Sequence, residues 1–179
     1  MIIGLSGYAK VGKDEVAQIL VKKYGFKRIA FADPIRELLL EINPILANGY
    51  HLKTIINEEG WTLAKNKEEV RRLLQELGVG ARQVLGDDVW VVAALRKMEN
   101  FKENYVITDV RFENEAVMVR QLGGEIWRIQ RPGIQAVNNH VSELEMDGYK
   151  FDRVLRNEGT LEELESLIQT RMDAPLHAN

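Results

Sequence analysis

The chain has 179 residues, 45% of them apolar and 28% charged, a net charge of −3 and no cysteine. That length suits one domain with a core of its own. The balance excludes a globally basic nucleic-acid binder, a disulfide scaffold and a thiolate metal site, and no apolar run approaches the ~20 residues that span a bilayer. With Met1 leading straight into a strand instead of a basic leader, the expectation is a cytoplasmic protein with neither nucleic acid nor membrane as partner.

The first element is an apolar strand over about Ile2 to Ser6, followed at once by Gly7-Tyr8-Ala9-Lys10-Val11-Gly12-Lys13-Asp14. Its G-x-x-x-x-G-K pattern between a strand and a helix is that of a phosphate-binding loop. Glycines let successive N–H groups curl around an anion, and the following helix aims its positive end there. Lys13 adds a mobile cation for the outer phosphates. Asp14 stands where a Ser or Thr would usually supply a hydroxyl to Mg²⁺. The first helix, with Val16, Ile19, Leu20 and Tyr24 at helical spacing, stops at Gly25. A second strand covers about Lys27 to Ala32, and Asp33-Pro34 starts a helix that Asn43-Pro44 ends. Residues 45–66 show no firm period and read as a mobile insertion. Val70, Leu73, Leu74 and Leu77 keep helical spacing until Gly78 and Gly80 interrupt it. Asp87 or Asp88 caps a helix reaching about Met98. Tyr105 to Thr108 is a buried strand ending at Asp109. A helix over Glu113 to Leu122, a strand over Glu125 to Gln130 and a loop at Arg131-Pro132-Gly133 follow. A short strand contains Val154-Leu155, and Thr160-x-x-Glu163 boxes the start of the closing helix. Residues after Met172 read as a frayed tail.

Strands alternating with helices predict an α/β fold with a doubly wound, mostly parallel sheet. Ligands of such sheets bind beyond the carboxyl ends of the strands, where the loop at Gly7, Asp33, Asp109 and Arg131 all fall. Each candidate carries two readings. Lys13 is a phosphate ligand or a solvated helix-start lysine, and Lys10 adds charge to the loop or is plain surface. Asp14 holds Mg²⁺ through a water or serves the helix dipole. Asp109 supports Mg²⁺ or caps a helix. Arg111 clamps a phosphate or pairs with Glu113 or Glu115. Asp33 has a helix-starting reading. Arg71 and Gln75 share a helical face, and with Arg82 they suit an anionic substrate carrying a base, although spacing alone favours a solvated face. The histidines at 51, 140 and 177 lack metal-ligand spacing.

These motifs together resemble the deoxynucleoside monophosphate kinases of the bacteriophage type. The resemblance rests on Leu5-Ser6-Gly7 through Lys13-Asp14, Arg71-Arg72-Leu73-Leu74-Gln75-x-Leu77-Gly78, Asp88-x-Trp90, and Thr108-Asp109-Val110-Arg111-Phe112. Arg131-Pro132-Gly133, His140-x-Ser142-Glu143 and Asn157-x-Gly159-Thr160-Leu161-x-x-Leu164 complete it. Lys-Asp in the phosphate loop occurs in that family, but Glu15 stands where the family often has Thr. The resemblance implies a single kinase domain over 1–179 with a five-stranded sheet and a lid at 45–66 or 134–150. It implies transfer of the γ-phosphoryl group of ATP to a deoxynucleoside 5′-monophosphate with Mg²⁺, Lys13, Asp109 and Arg111 being catalytic. Asp33, Arg71, Gln75, Arg82, Trp90 and Arg111 would face the acceptor, and Arg131 and Asn157 would border the donor adenine. The metal would rest on Asp14 and Asp109. The oligomeric state stays open, a homodimer among the options. Two other readings compete: another small-molecule kinase, such as one resembling dephospho-coenzyme A kinase, and a nucleotide-binding switch without an acceptor.

Overall fold

Five consecutive buried residues, Ile2–Ser6, form β1. A strand apolar on both sides requires cover on both faces, the condition of a parallel sheet. The computed structural model describes residues 1–135 and 145–173. In it β1 (Ile2–Ser6), β2 (Lys27–Ile29), β3 (Tyr105–Ile107), β4 (Glu125–Gln130) and β5 (Arg153–Arg156) form one sheet, ordered β2-β3-β1-β4-β5. Every pairing is parallel, with Ile3 beside both Val106 and Glu125. The helices are α1 (Lys13–Tyr24), α2 (Ala32–Ile42), α3 (Leu52–Ala64), α4 (Glu68–Leu85), α5 (Val89–Leu95), α6 (Glu113–Gln121) and α7 (Leu161–Asp173).

The chain divides into two compact units, residues 1–30 with 99–179, and residues 31–98. The first holds the sheet. Ile3 and Leu5 pack with Val16 and Leu20 of α1, Trp127 and Ile129 of β4, and Leu164 and Ile168 of α7. The alternate residue Gly4 turns to the opposite face, where a Cβ would lie 2.8 Å from both Ile126 and Val110 and 3.5 Å from Val119 of α6. The period-2 geometry of a strand therefore assigns one face to α1 and α7 and the other to α6. Left-handed Gly25 (φ 69°) ends α1, its N–H bonding the Leu20 carbonyl. At the start of α7 the expected box is formed: the Thr160 N–H donates to Glu163 Oε2 (2.7 Å) and the Glu163 N–H to Thr160 Oγ1 (3.3 Å).

The second unit is helical. Leu39, Leu46, Leu52, Ile55, Ala64 and Val70 form its core, with Leu73, Leu74 and Leu77 packed against it. Two expectations need correction here. Residues 45–66, without a firm period in sequence, carry α3, whose regularity is broken at left-handed Gly60 (φ 73°). Gly78 and Gly80 do not interrupt α4, which runs on to Leu85. A Cβ on Gly78 would come within 3.4 Å of Ile35, so the glycine fits a close α2–α4 crossing. Parts of the sequence reading lie outside the described residues: 136–144 of the candidate lid, including His140, Ser142 and Glu143, and the tail at 174–179.

Candidate functional site

In the first unit the loop after β1 is shaped by its main chain. Gly7 has φ 143° and Gly12 φ 103°, and Lys10 adopts the left-handed region at φ 67°. A Cβ on Gly7 would lie 2.4 Å from the Ile129 carbonyl oxygen, and one on Gly12 the same distance from Asn157 Nδ2. Neither position tolerates a side chain without displacement. The loop feeds into α1, whose uncompensated N–H groups and dipole favour an anion. Lys13 Nζ donates to the carbonyls of Gly7 and Tyr8, both at 2.7 Å. The ammonium is thereby folded over the loop. Asp14 and Glu15 are exposed in the first turn of α1, where their charge suits the dipole. Lys10 is exposed at the loop tip.

The carboxyl ends of the other strands contribute beside it. Thr108 is buried after β3 with Asp109 half-buried next to it. Arg111 follows in the turn before α6. The buried Glu115 is the acid that organises this turn, its Oε2 accepting from the N–H groups of Arg111 (2.7 Å) and Phe112 (3.1 Å). Pairing of that carboxylate with main-chain donors is a role the sequence reading did not give it. After β5, Asn157 is buried and donates from Nδ2 to the Val11 carbonyl (2.9 Å), while its own N–H bonds the Gln130 carbonyl (2.7 Å). Its amide is a brace for the phosphate loop. Arg131, exposed in the turn after β4, lines a cleft of about 650 Å³ with Tyr8, Gln130, Pro132 and Glu158. Asn157 and Gly159 line a neighbouring one of about 370 Å³ with Leu164 and Leu167.

The larger cleft also contains a cluster that sequence reasoning missed. Arg128, 6% exposed, lies over the ring of Tyr8 at 4.7 Å and that of Phe151 at 5.3 Å. Its Nη2 pairs with Asp147 (2.9 Å) and its Nη1 reaches Ser6 Oγ (3.4 Å). The Tyr8 hydroxyl lies 2.8 Å from both Asp147 oxygens. That hydrogen bond, with burial and the charge of Asp147, raises the Tyr8 pKa above the ordinary phenol value, so the hydroxyl stays protonated and donating at neutral pH.

In the second unit Asp33 accepts from Arg36 Nη1 (3.2 Å), and Arg36 lies over the Trp61 ring at 5.8 Å. Arg71 and Arg72, adjacent in sequence, differ. Arg72 is bound to Glu76 one turn on at 2.9 Å. Exposed Arg71 and half-buried Gln75, on another face of α4, make no side-chain hydrogen bond or ion pair among the described residues. Arg82 donates to the Asp87 carbonyl (2.7 Å). Trp90 is buried, its indole N–H donating to the Gly78 carbonyl (2.8 Å), so it braces α4 against α5. Its neighbour Asp88 begins α5 without a side-chain cap.

A parallel sheet of this order, with a phosphate loop after its central strand and a lysine folded over that loop, defines the P-loop kinase fold. A solved dephospho-CoA kinase from Campylobacter jejuni shares it, at 14% identity and a TM-score of 0.52, over 96% of this chain and 94% of that one. The family model for deoxynucleotide monophosphate kinase matches residues 45–168. A protein of Acanthamoeba polyphaga mimivirus bearing that family name is 30% identical across 97% of this chain and 96% of its own length. The deoxynucleotide monophosphate kinase of Escherichia phage RB69 is 33% identical across 56% of this chain and 43% of its own. The chain belongs to the deoxynucleotide monophosphate kinase family, and as a kinase it takes ATP as phosphoryl donor. Among the described residues no helix is long and apolar enough to cross a membrane, and no group of three or more acidic or histidine side chains could hold a metal ion.

Proposed function

We propose that this chain transfers the γ-phosphoryl group of ATP to a deoxynucleoside 5′-monophosphate, giving ADP and the diphosphate. The observation that carries the reading is the loop Gly7–Lys13 at the head of α1, with Lys13 Nζ held over it by two main-chain carbonyls. Its N–H groups bind the donor phosphates, and Lys13 neutralises charge moving toward the β–γ bridge in the transition state. The acceptor is itself a phosphate anion and needs no general base. Catalysis is therefore positioning and charge neutralisation, for which arginines serve better than a histidine. Arg111 steadies the transferred group, and Arg131 borders the donor base beside the braced Asn157.

Acceptor recognition belongs to the second unit. Arg71 binds the acceptor phosphate, Gln75 reads the base edge, and Asp33 and Arg82 frame them. Trp90 contributes by fixing α4. Mg²⁺ is commonly held by one or two carboxylates plus phosphate oxygens and water. Asp14, next to Lys13, and Asp109, beyond β3, are donors of that kind. When bound, the cation adds charge neutralisation on the donor phosphates. The setting we assign is the cytoplasm, where ATP and nucleoside monophosphates are available, with no nucleic-acid partner.

The test is ADP release, measured with ATP alone and then with each of four deoxynucleoside monophosphates. Release that depends on an acceptor is the expected result. Equal release without one would make the protein a nucleotide switch, and acceptance of only a non-nucleotide substrate would make it another small-molecule kinase.

A further inference from the structure

Arg128 occupies the β4 position in register with Ser6, the last residue of β1 before the phosphate loop. Burying a guanidinium is costly unless it is paired, and an apolar residue of similar volume would pack the same space more cheaply. The arginine is therefore informative. Its guanidinium lies against the rings of Tyr8 and Phe151, and its two terminal nitrogens are engaged by Ser6 and Asp147. Engaged by four neighbours and 6% exposed, it is poorly placed to bind a phosphate itself. It instead holds two things together: Asp147, which is 39% exposed at the side chain, and the ring of Tyr8. Asp147 in turn accepts the Tyr8 hydroxyl. Tyr8 is a member of the phosphate loop, and its carbonyl is one of the two that hold Lys13 Nζ.

We propose that Arg128 and Asp147 are positioning residues for the phosphoryl donor, acting through Tyr8 on the loop segment that holds Lys13. The route is short and contiguous: Arg128 fixes Asp147, Asp147 fixes the Tyr8 hydroxyl, and the Tyr8 main chain fixes the ammonium. The pair is neutral overall, so its contribution is geometric. It sets where the loop N–H groups and Lys13 stand before ATP arrives, lowering the ordering needed on binding. The assignment rests on the donor-site reading of the loop.

The experiment compares the full-length chain with Tyr8→Phe, Asp147→Asn, the double variant, Arg128→Lys and Lys13→Ala. KM for ATP, KM for the deoxynucleoside monophosphate, kcat and Tm are measured for each. Tyr8→Phe keeps the ring over Arg128 and removes only the hydroxyl, so its KM for ATP is expected to rise about fivefold, the scale of one hydrogen bond. KM for the acceptor should not change. Asp147→Asn should act in the same direction, and the double variant should be no worse than Asp147→Asn alone, because both changes cut one route. Arg128→Lys keeps the charge without the planar fork, so it should behave like Asp147→Asn. A wild-type KM for ATP in Tyr8→Phe overturns the proposal even if Tm falls, since that pattern is structural. Fully additive effects, or equal losses for donor and acceptor, also overturn it. Should Arg128→Lys fail to fold, Tyr8→Phe and Asp147→Asn still decide. If Lys13→Ala keeps near-normal turnover, the donor-site reading itself fails. If Lys13→Ala is inactive and Tyr8→Phe retains its affinity for ATP, only the positioning role is lost.

Discussion

The two units hold their candidate groups by different means. In the sheet unit the candidate groups are fixed by main chain: glycines with positive φ shape the loop, carbonyls hold Lys13, and Asn157 braces Val11. In the helical unit the proposed acceptor groups are side chains on α4, and what singles out Arg71 is that its neighbour Arg72 is already committed to Glu76. Backbone recognition suits a ligand part that never varies, such as a triphosphate. Side-chain recognition suits a part that differs between substrates, such as the base of the acceptor.

The comparison breaks first at Lys13. Lys13→Ala should lower turnover by at least ~10²-fold, the cost of one aimed electrostatic group, while the fold persists by circular dichroism. Near-normal turnover would remove the contrast at its root. Next in size, Arg71→Ala should lower kcat/KM by roughly 10- to 100-fold, as expected for a lost hydrogen bond to a charged group, and equally for four deoxynucleoside monophosphates, with KM for ATP unchanged. A loss that depended on the base would transfer Arg71 to another role. Asp109→Asn or Asp14→Asn should raise the Mg²⁺ needed for half-maximal rate by about tenfold if that carboxylate supports the cation. An unchanged titration in both leaves them as helix-start acids. Smallest of all, Arg72→Ala should alter kcat/KM by less than about twofold, because an exposed i,i+4 pair is worth only a few tenths of a kcal/mol. Gln75→Ala, on the neighbouring face, should by contrast reorder the four acceptors. A larger effect from Arg72 than from Arg71 would reverse the assignment of the two faces.

The sheet and its loop were legible because their signals are local. An apolar run, a spaced pair of glycines and a lysine fall within thirteen residues, and parallel strands need no partner information to be recognised as buried. The helical unit was harder. In α3 the break at Gly60 resets the helical phase, so Leu52, Ile55 and Ala64 show no common period although all are buried. In α4 two glycines looked like a stop, since each costs about 1 kcal/mol relative to alanine in a helix interior. The close approach of Ile35 explains the one at Gly78. Arg128 was invisible for another reason. Within Glu125-Ile-Trp-Arg-Ile-Gln130 it reads as the polar partner in an alternating strand, and Asp147 and Phe151 lie far along the chain. Asn157 is similar: its place after β5 was readable, but its bond to Val11 spans most of the sequence.

The central place of β1 in the sheet bears on how the protein is made. Its flanking partners are β3 and β4, so β1 waits without a strand neighbour until about a hundred further residues have been made. At 5–20 residues per second this is a wait on the order of 5–20 s before Tyr105–Ile107 exist to receive it. The helical unit is one uninterrupted stretch, residues 31–98, and its contacts are complete before β3 is synthesised. The helices of residues 31–98 can therefore be assembled while the apolar strand that leads into the phosphate loop still lacks a strand neighbour, the interval in which a chaperone has most to offer this chain.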